Sequence, residues 1–416
     1  MITIKEYEFL QTKYEIEKNF ISELSFNSIE KFILDSDIQY LKITTKKGYG
    51  KVIVAQNYCG VIQTKDGTTI EILPKITNCT DENSKKILIK MLRTLKKSPF
   101  KNFNMANLKS SKMPLLEIFI SMFLSELTKL IQKGIKSNYI QKEENLHFLK
   151  GKLNINNQIK HNYIHQERFY VQYDEFTSNT LENSLIKTTL EYLYKKSKSI
   201  KNQQKIREFL FVFDNIDISH NIKNDFSKII INRQLKNYEQ LLIWCKIFLL
   251  NNSFTPYKGD NLSFALLFNM NLLFESFVYS YFKKSNTFDS INAQDTSHHL
   301  AFLDGVDKKF QLKPDILINN GKIIADTKWK ILSEVKTHQG VSQADMYQLY
   351  AYGTKYQNCD ELYLIYPKDK LEIDAGNYYE YFKQDNKKLS LKVLFFDLVD
   401  MDNNINLIKN QELTND

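Results

Sequence analysis

The segment from Leu312 to Lys330 constrains the fold more than any other part of this sequence. It contains two short apolar stretches separated by the dipeptide Asn320-Gly321. This dipeptide is favoured at the centre of a type I′ hairpin turn, because both central residues of that turn need a positive φ. We therefore predict two antiparallel strands, from Lys313 to Ile318 and from Lys322 to Lys328.

A turn at this position brings three charged side chains to one end of the hairpin. Asp315 faces Asp326 across the strands, and Lys328 shares a face with Asp326 because side chains two apart on a strand point the same way. Opposed carboxylates destabilise a sheet unless a positive charge lies between them. Mg²⁺ suits such a place because it prefers hard oxygen ligands. The pattern predicts a metal-dependent phosphodiesterase, with Asp315 and Asp326 as metal ligands and Lys328 as the third catalytic residue.

The alternative for these residues is an exposed hairpin with an ordinary Asp/Lys salt bridge. The Asp-x-Lys triplet is weak evidence alone, because it also occurs at residues 307–309 and 385–387. The preceding Pro314-Asp315 pair, the turn that sets the register and the apolar strands favour the metal site.

Two residues after the hairpin are candidates for positioning substrate or water. Gln348 and Tyr352 lie four apart on a helix predicted from Ser342 to Lys355, so they share one face of it. An amide and a phenol there can hydrogen-bond phosphate oxygens or an attacking water. The alternative is that the tyrosines of this helix only pack against the sheet.

Two more charged residues flank the predicted site. Glu275 lies in a strongly apolar stretch, where an unpaired charge is costly to bury. It is a candidate third metal ligand. The alternative, on equal terms, is that it forms a salt bridge or is exposed. Lys330, two residues after Lys328, projects to the same side of an extended chain and can contact DNA phosphates.

The composition indicates a globular protein of two or three domains, with 416 residues, 43% hydrophobic and 25% charged. The net charge of +9 permits a polyanionic partner without establishing one. Four widely spaced cysteines argue against a disulfide scaffold or a zinc ribbon. We find no signal peptide and no apolar run of the ~20 residues that span a bilayer. A soluble, cytoplasmic protein without membrane contact is therefore expected.

Changes in pattern along the chain predict four parts. Residues 1–110 are predicted to form a β-rich domain, residues 111–255 a mainly helical region, and residues 256–400 an α/β domain that contains the hairpin. Residues 401–416 are polar and are predicted to be a frayed tail.

Local patterns predict the main elements within these parts. In the first part we predict strands within Ile43 to Val54 and Cys59 to Leu73, with turns at Lys47-Gly48 and Asp66-Gly67. A lysine-rich helix from Ser84 to Lys97 follows, and its basic residues favour a solvated face over a nucleic-acid patch.

In the middle part, helical spacing predicts helices over Leu115 to Ile135, Leu181 to Tyr194, Ile206 to Phe213 and Leu235 to Leu250. Residues 147–159 are predicted to be a strand pair. In the last part we predict a helix from Ser263 to Phe282 before the hairpin and strands at Leu362 to Tyr366 and Leu391 to Phe396.

The order Asp, Asp-x-Lys, Gln-x-x-x-Tyr, which residues 314–352 match as PD…DTK…QLYAY, resembles the PD-(D/E)xK nucleases. More of the chain resembles the McrC family, the nuclease subunits of McrBC modification-dependent restriction systems. The matching pieces are GVIQTKDGTTIEILPKI at 60–76, YDEFTSNTLENSLIKTTLEYL at 173–193, LFESFV at 273–278, DTKWK at 326–330, MYQLYAYG at 346–353 and YLIYP at 363–367.

This resemblance implies an α/β C-terminal PD-(D/E)xK nuclease core, in which helices flank a mixed sheet, and an N-terminal domain that docks onto a McrB-like AAA+ GTPase oligomer. It implies Mg²⁺-dependent cleavage of double-stranded DNA that carries modified cytosines such as 5-methylcytosine, with pairs of nuclease subunits cutting both strands. GTP is then bound by the partner, and the sequence agrees, because it contains no Gly-x-x-x-x-Gly-Lys-Ser/Thr phosphate loop. Two alternatives stay open: a nuclease of another defence or repair system that acts on unmodified DNA, and a non-catalytic activator subunit of the AAA+ partner.

Overall fold

The structure, a computed structural model, describes residues 1–14, 18–76, 79–95, 98–101, 113–233, 235–250, 262–332, 337–368, 378–382, 388–400 and 404. The chain divides into two compact units, one within residues 1–112 and 257–416 and the other within residues 113–256. The predicted boundaries near residues 110 and 255 lie outside the described residues, as does the predicted tail except for Asn404.

The first segment of the chain is a mixture of strands and helices. Its described elements are β1 (Ile2–Lys5), β2 (Phe9–Leu10), α1 (Glu23–Asp35), β3 (Leu41–Lys46), β4 (Gly50–Ala55), β5 (Tyr58–Gln63), β6 (Thr69–Leu73) and α2 (Asp81–Leu92). The predicted turns at Lys47-Gly48 and Asp66-Gly67 are confirmed, because β3 pairs with β4 and β5 with β6 in antiparallel hairpins. Helix α1 was not predicted. It begins after Ser22, whose hydroxyl accepts the Ser25 N–H.

The second unit contains six helices and a small sheet in its described residues. These elements are α3 (Leu115–Lys133), β7 (Asn138–Leu146), β8 (Lys152–Leu153), α4 (Ile155–Asn162), β9 (Phe169–Thr177), α5 (Leu181–Lys196), α6 (Ile200–Val212), α7 (Ile222–Lys228) and α8 (Glu239–Leu249). All four helices predicted here form. The strand pair predicted over residues 147–159 is wrong, because only β8 is extended. Asn154 accepts the Asn157 N–H and starts α4 instead.

The last segment contains most of the strands. Its described elements are β10 (Phe264–Asn269), α9 (Met270–Ser285), β11 (Ile291–Ala293), β12 (His299–Leu303), β13 (Asp307–Gln311), β14 (Ile316–Ile318), β15 (Ile323–Thr327), α10 (Gln343–Lys355), β16 (Glu361–Pro367), β17 (Tyr378–Phe382) and β18 (Lys388–Phe396). The predicted helix after the hairpin and the two predicted strands that follow it are confirmed as α10, β16 and β18.

The helix predicted from Ser263 to Phe282 is wrong in its first part, where the chain forms β10. Residues 264–269 are apolar along most of their length, so their periodicity does not separate a buried strand from a buried helix. The free edge of β5 decides the outcome: β10 pairs with it antiparallel, with Leu266 opposite Val61. The resulting sheet has the strand order β1-β6-β5-β10. It joins the first and last segments of the chain in one unit.

A second sheet of the same unit carries the hairpin, in the order β11-β14-β15-β16-β18-β17. Strand β15 is antiparallel to β14 and parallel to β16, so the sheet is mixed. Helix α10 packs on it through Leu349 and Tyr352, which share a buried cluster with Leu362 and Leu391. The chain thus has a mixed α/β fold. None of the helices in the described ranges combines the length and hydrophobicity needed to cross a membrane.

Candidate functional site

The turn between β14 and β15 has the predicted geometry. Asn320 has φ 54° and ψ 37°, and Gly321 has φ 86°. The Lys322 N–H donates to the Asn319 carbonyl at 3.3 Å. Two central residues with positive φ and this hydrogen bond define a type I′ turn. The positive φ values predicted at residues 320 and 321 are therefore confirmed. Asn319, with φ 50°, and Lys322, in the αR region, are not extended, so the strands beside the turn are shorter than predicted.

The register of the hairpin also agrees with the prediction. Leu317 lies opposite Ile324, which brings Asp315, just before β14, beside the end of β15 that carries Asp326. Thr327 holds Asp315 in place, because its N–H and its hydroxyl both donate to Asp315 Oδ2 at 2.7 Å. The sequence analysis missed Thr327. A hydroxyl residue in the middle of the Asp-x-Lys triplet was the available signal.

Asp326 and Lys328 form a close ion pair. Asp326 Oδ2 lies 2.6 Å from Lys328 Nζ, and the Asp326 side chain is only 3% exposed. Burial, followed by the charge of Asp315, raises the pKa of Asp326 to about 7, although Lys328 lowers it. Burial also raises the pKa of Asp315, although the hydrogen bonds from Thr327 lower it. Asp315 is half-buried and Asp326 is buried. Two neighbouring carboxylates that are both harder to ionise indicate a site that favours added positive charge.

Lys328 remains a cation in this surrounding. Burial lowers the pKa of its ammonium, but the charges of Asp326 and Asp345 outweigh burial and the net pKa lies above the usual value. Asp345 Oδ1 lies 3.8 Å from Lys328 Nζ, and Gln348 Oε1 accepts a hydrogen bond from Nζ at 3.1 Å. Because the ammonium stays charged at neutral pH, Lys328 is suited to stabilising negative charge and not to accepting a proton.

Helix α10 supplies the residues that position Lys328. Gln348 donates through Nε2 to the Tyr352 hydroxyl at 2.7 Å, and that hydroxyl donates to the Lys313 carbonyl at 3.2 Å. The predicted pair therefore lies at the site, where both residues contact protein groups. Asp345 was missed by the sequence analysis. It precedes Gln348 by three residues, and this spacing on one helix face was the signal that could have found it.

Glu275 lies on α9 and is half-buried. Its Oε1 accepts a hydrogen bond from Gln294 Nε2 at 2.8 Å. Burial, followed by the charge of Asp315, raises the pKa of Glu275 to about 7. Glu275 is therefore close enough to Asp315 to sense its charge, and Gln294 is its hydrogen-bond partner.

Lys330 lies apart from this group. Its N–H donates to the Lys328 carbonyl at 2.9 Å, which bends the chain at Trp329. The chain is therefore not extended between Lys328 and Lys330, and the argument that placed both side chains on one face does not apply here. Its ammonium donates to the Gly340 carbonyl at 2.6 Å, and a contact between Lys330 and DNA stays a prediction.

The carboxylate pair has the oxygen ligands that a magnesium ion prefers. Apart from the ion pair with Lys328, Asp326 Oδ2 is buried and accepts no hydrogen bond from the described residues. No group of three or more His, Cys, Asp or Glu side chains in the described ranges could hold a metal ion, so Glu275 is not placed as a third ligand. Mg²⁺ commonly uses one or two carboxylates and completes its shell with water and substrate phosphates. Asp315 and Asp326 fit that donor set.

Comparison with known proteins shows that the chain matches one protein family. The family profile described as "McrBC 5-methylcytosine restriction system component" matches residues 53–367. A search of curated proteins finds no match. Among the solved structures that are similar to this chain, two are from Thermococcus gammatolerans. A refined half-complex from a tetradecameric assembly of McrB AAA+ hexamers with bound McrC matches at 18% identity and a TM-score of 0.72, covering 99% of this chain and 99% of that chain.

The second structure is a cryo-EM structure of the McrBC complex, which matches at 20% identity and a TM-score of 0.51, covering 67% of this chain and 85% of that chain. At these identities the structural similarity shows the fold alone, whereas the family profile covers well over half of the chain. The protein therefore belongs to the McrBC 5-methylcytosine restriction system component family.

Proposed function

We propose that the protein is the DNA endonuclease subunit of a McrBC-like restriction complex and hydrolyses phosphodiester bonds of DNA that carries modified cytosines. The observation that carries this proposal is the group formed by half-buried Asp315, buried Asp326 and Lys328 at one end of the β14–β15 hairpin. Membership of a 5-methylcytosine restriction family supports the substrate class. The last segment would then be a PD-(D/E)xK nuclease domain.

The chain's own residues would divide the work as follows. Asp315 and Asp326 would hold Mg²⁺, which when bound polarises the scissile phosphate and lowers the pKa of a water ligand. Thr327 keeps Asp315 oriented through two hydrogen bonds. Lys328 stabilises the negative charge that develops on the phosphate during attack. Gln348 holds the Lys328 ammonium in position for that role.

We further infer that the chain works with a McrB-like AAA+ GTPase oligomer. The whole chain has the fold of a chain in the Thermococcus gammatolerans assembly of McrB hexamers with bound McrC. The sequence itself contains no nucleotide-binding phosphate loop, so GTP binding and DNA translocation would belong to the partner. Cleavage of both strands of a duplex would need a pair of nuclease subunits, because each subunit contributes one such site.

The test is cleavage by the reconstituted complex. The chain is assembled with a McrB-like AAA+ GTPase, and cleavage of methylated and unmethylated plasmid is compared in the presence of GTP and Mg²⁺. Asp326→Asn and Lys328→Ala should each lower cleavage of methylated plasmid by ~100-fold or more, as expected for loss of transition-state electrostatics. Both variants should still stimulate the GTPase of the partner.

Asp307→Asn and Lys309→Ala provide a matched control. These residues form another Asp-x-Lys triplet, and they are exposed with a longer ion pair of 3.8 Å, so cleavage should be unchanged. Full cleavage by Asp326→Asn would reject the site. Equal cleavage of unmethylated plasmid would favour a nuclease of another system, and GTPase stimulation without any cleavage by the wild type would favour an activator subunit.

A further inference from the structure

A groove with a basic lining lies in the unit formed by the two ends of the chain. Its volume is about 820 Å³. Helix α2 of the first segment packs against α9 of the last segment, and both contribute to the lining. The cationic residues that line it, here called the basic groove, are Lys90, Arg93, Lys101, Lys283 and Lys284. Glu275 is the acidic side chain in this lining.

The cations of the basic groove are largely uncompensated. Lys90, Arg93, Lys283 and Lys284 form no ion pair with any carboxylate in the part of the chain that the structure describes. Lys90 and Arg93 are three residues apart, so they lie on one face at the end of α2. Clustered like charges repel each other, and a polyanion in the groove would relieve that repulsion.

Helix-end stabilisation does not account for this arrangement. A lysine in the last turn of a helix is favoured by the helix dipole, which explains Lys90, Lys283 and Lys284 one by one. It does not explain why two helices from opposite ends of the chain present their cations to the same groove. The lining also contains five cationic side chains, whereas sites for small organic ligands place only a few polar groups among apolar ones.

One residue connects the basic groove to the candidate site through Glu275 and the main chain of Asp315. Gln294 lines the groove, its side chain donates to Glu275 Oε1 at 2.8 Å, and its N–H donates to the Asp315 carbonyl at 2.9 Å. A ligand in the groove is therefore separated from Asp315 by a single layer of protein contacts.

We propose that the basic groove binds the phosphate backbone of duplex DNA next to the bond that is cut. This inference rests on the proposed nuclease function. It assigns Lys90 and Arg93 a role in DNA binding, whereas the sequence alone favoured a solvated helix face. Contacts from lysine and arginine to phosphates carry no base information. The groove therefore contributes equally to the binding of methylated and unmethylated DNA.

The test is binding of the purified full-length chain to a labelled duplex by fluorescence anisotropy, without divalent metal, over salt concentrations from ~50 to ~200 mM. The groove variant is Lys283→Gln with Lys284→Gln. Each lost phosphate contact lowers the slope of log affinity against log salt by ~0.9. We expect a slope reduced by ~2 and an affinity reduced about tenfold or more, to the same extent on methylated and unmethylated duplex.

Two controls separate this effect from folding and from general charge. Lys283→Arg with Lys284→Arg keeps the charges and should bind as the wild type does. Lys31→Gln with Lys42→Gln removes two exposed lysines elsewhere in the same unit and should leave the slope unchanged.

Equal salt slopes for the groove variant and the wild type would overturn the proposal, as would a wild-type chain that does not bind duplex DNA. Because the assay contains no metal and measures no cleavage, it is independent of the nuclease test. If the chain binds DNA through the basic groove but never cuts it, the proposed nuclease function is rejected and the proposed DNA-binding role of the groove stands.

Discussion

The indole N–H of Trp329 donates to both carboxylate oxygens of Glu6, at 3.1 and 3.0 Å. Trp329 directly follows Lys328, and Glu6 directly follows strand β1. The same carboxylate accepts the Lys75 N–H at 3.0 Å. The residue beside the candidate catalytic lysine is therefore anchored to the sheet that begins at the N-terminus of the chain. Because Glu6 is fully buried, its protonation is coupled to folding.

We expect Glu6 to make stability depend on pH. Burial raises the pKa of Glu6 from 4.5 to about 7 in the folded protein. Between these values the folded state holds a proton that the unfolded state has lost, so the contribution of Glu6 to stability decreases as the pH rises. In urea unfolding, the free energy of unfolding of the wild type should fall by up to ~3 kcal/mol relative to Glu6→Gln as the pH rises across this range. The exposed Glu23→Gln is the control. Parallel curves for wild type and Glu6→Gln would contradict the prediction.

Gln348 is expected to matter for cleavage through Lys328. Gln348→Ala removes the oxygen that accepts from Lys328 Nζ at 3.1 Å, which leaves the ammonium less well oriented. We expect the single-turnover cleavage rate to fall about tenfold, equivalent to ~1.4 kcal/mol of activation free energy. Gln343→Ala, on an exposed position of the same helix, should cleave normally. Equal rates for the two variants would show that Lys328 needs no support from Gln348.

A buried ion pair attaches α2 to the sheet beneath it. Lys85 Nζ lies 2.7 Å from Glu71 Oε2, and the two side chains are 8% and 0% exposed. Lys85→Met leaves a buried carboxylate without its ammonium, so the free energy of unfolding should fall by ~3–5 kcal/mol. The exposed neighbour Lys86→Met should change it little. Combining Lys85→Met with Glu71→Met should recover much of the loss, and a double variant as unstable as the single one would refute this explanation.

Gly60 is expected to tolerate no side chain. Its φ is +148°, and an added Cβ would lie 2.0 Å from the Leu266 carbonyl oxygen on β10. Gly60→Ala must therefore separate β5 from β10, and we expect a loss of more than ~2 kcal/mol in chemical unfolding. Gly67→Ala is the matched control, because its φ is +85° with nothing within 4 Å of the added Cβ. It should cost only ~1 kcal/mol, the penalty of the left-handed backbone. Similar losses for both variants would argue against the close approach.

Local signals in the sequence were sufficient for the hairpin. The turn at Asn320-Gly321 depends on the φ preferences of two adjacent residues, and the register of Leu317 opposite Ile324 follows from that turn alone. Helix α10 was equally predictable, because its cap at Ser342 and its periodic face lie within a few residues of each other. These features are encoded over short stretches of chain, where backbone geometry leaves few alternatives.

Contacts between distant segments decided the remaining features. The apolar residues 264–269 became a strand only because β5 offers them an edge for hydrogen bonding. Lys90 and Lys283 belong to helices that are far apart in the sequence and pack together in the fold. Glu6 and Trp329 are likewise far apart in the sequence and are joined by a hydrogen bond in the fold. The sequence by itself determined the charged end of the hairpin, since a tight turn needs only neighbouring residues. The tertiary structure alone decided which side chains surround that end, because their positions depend on the packing of segments that are far apart in the chain.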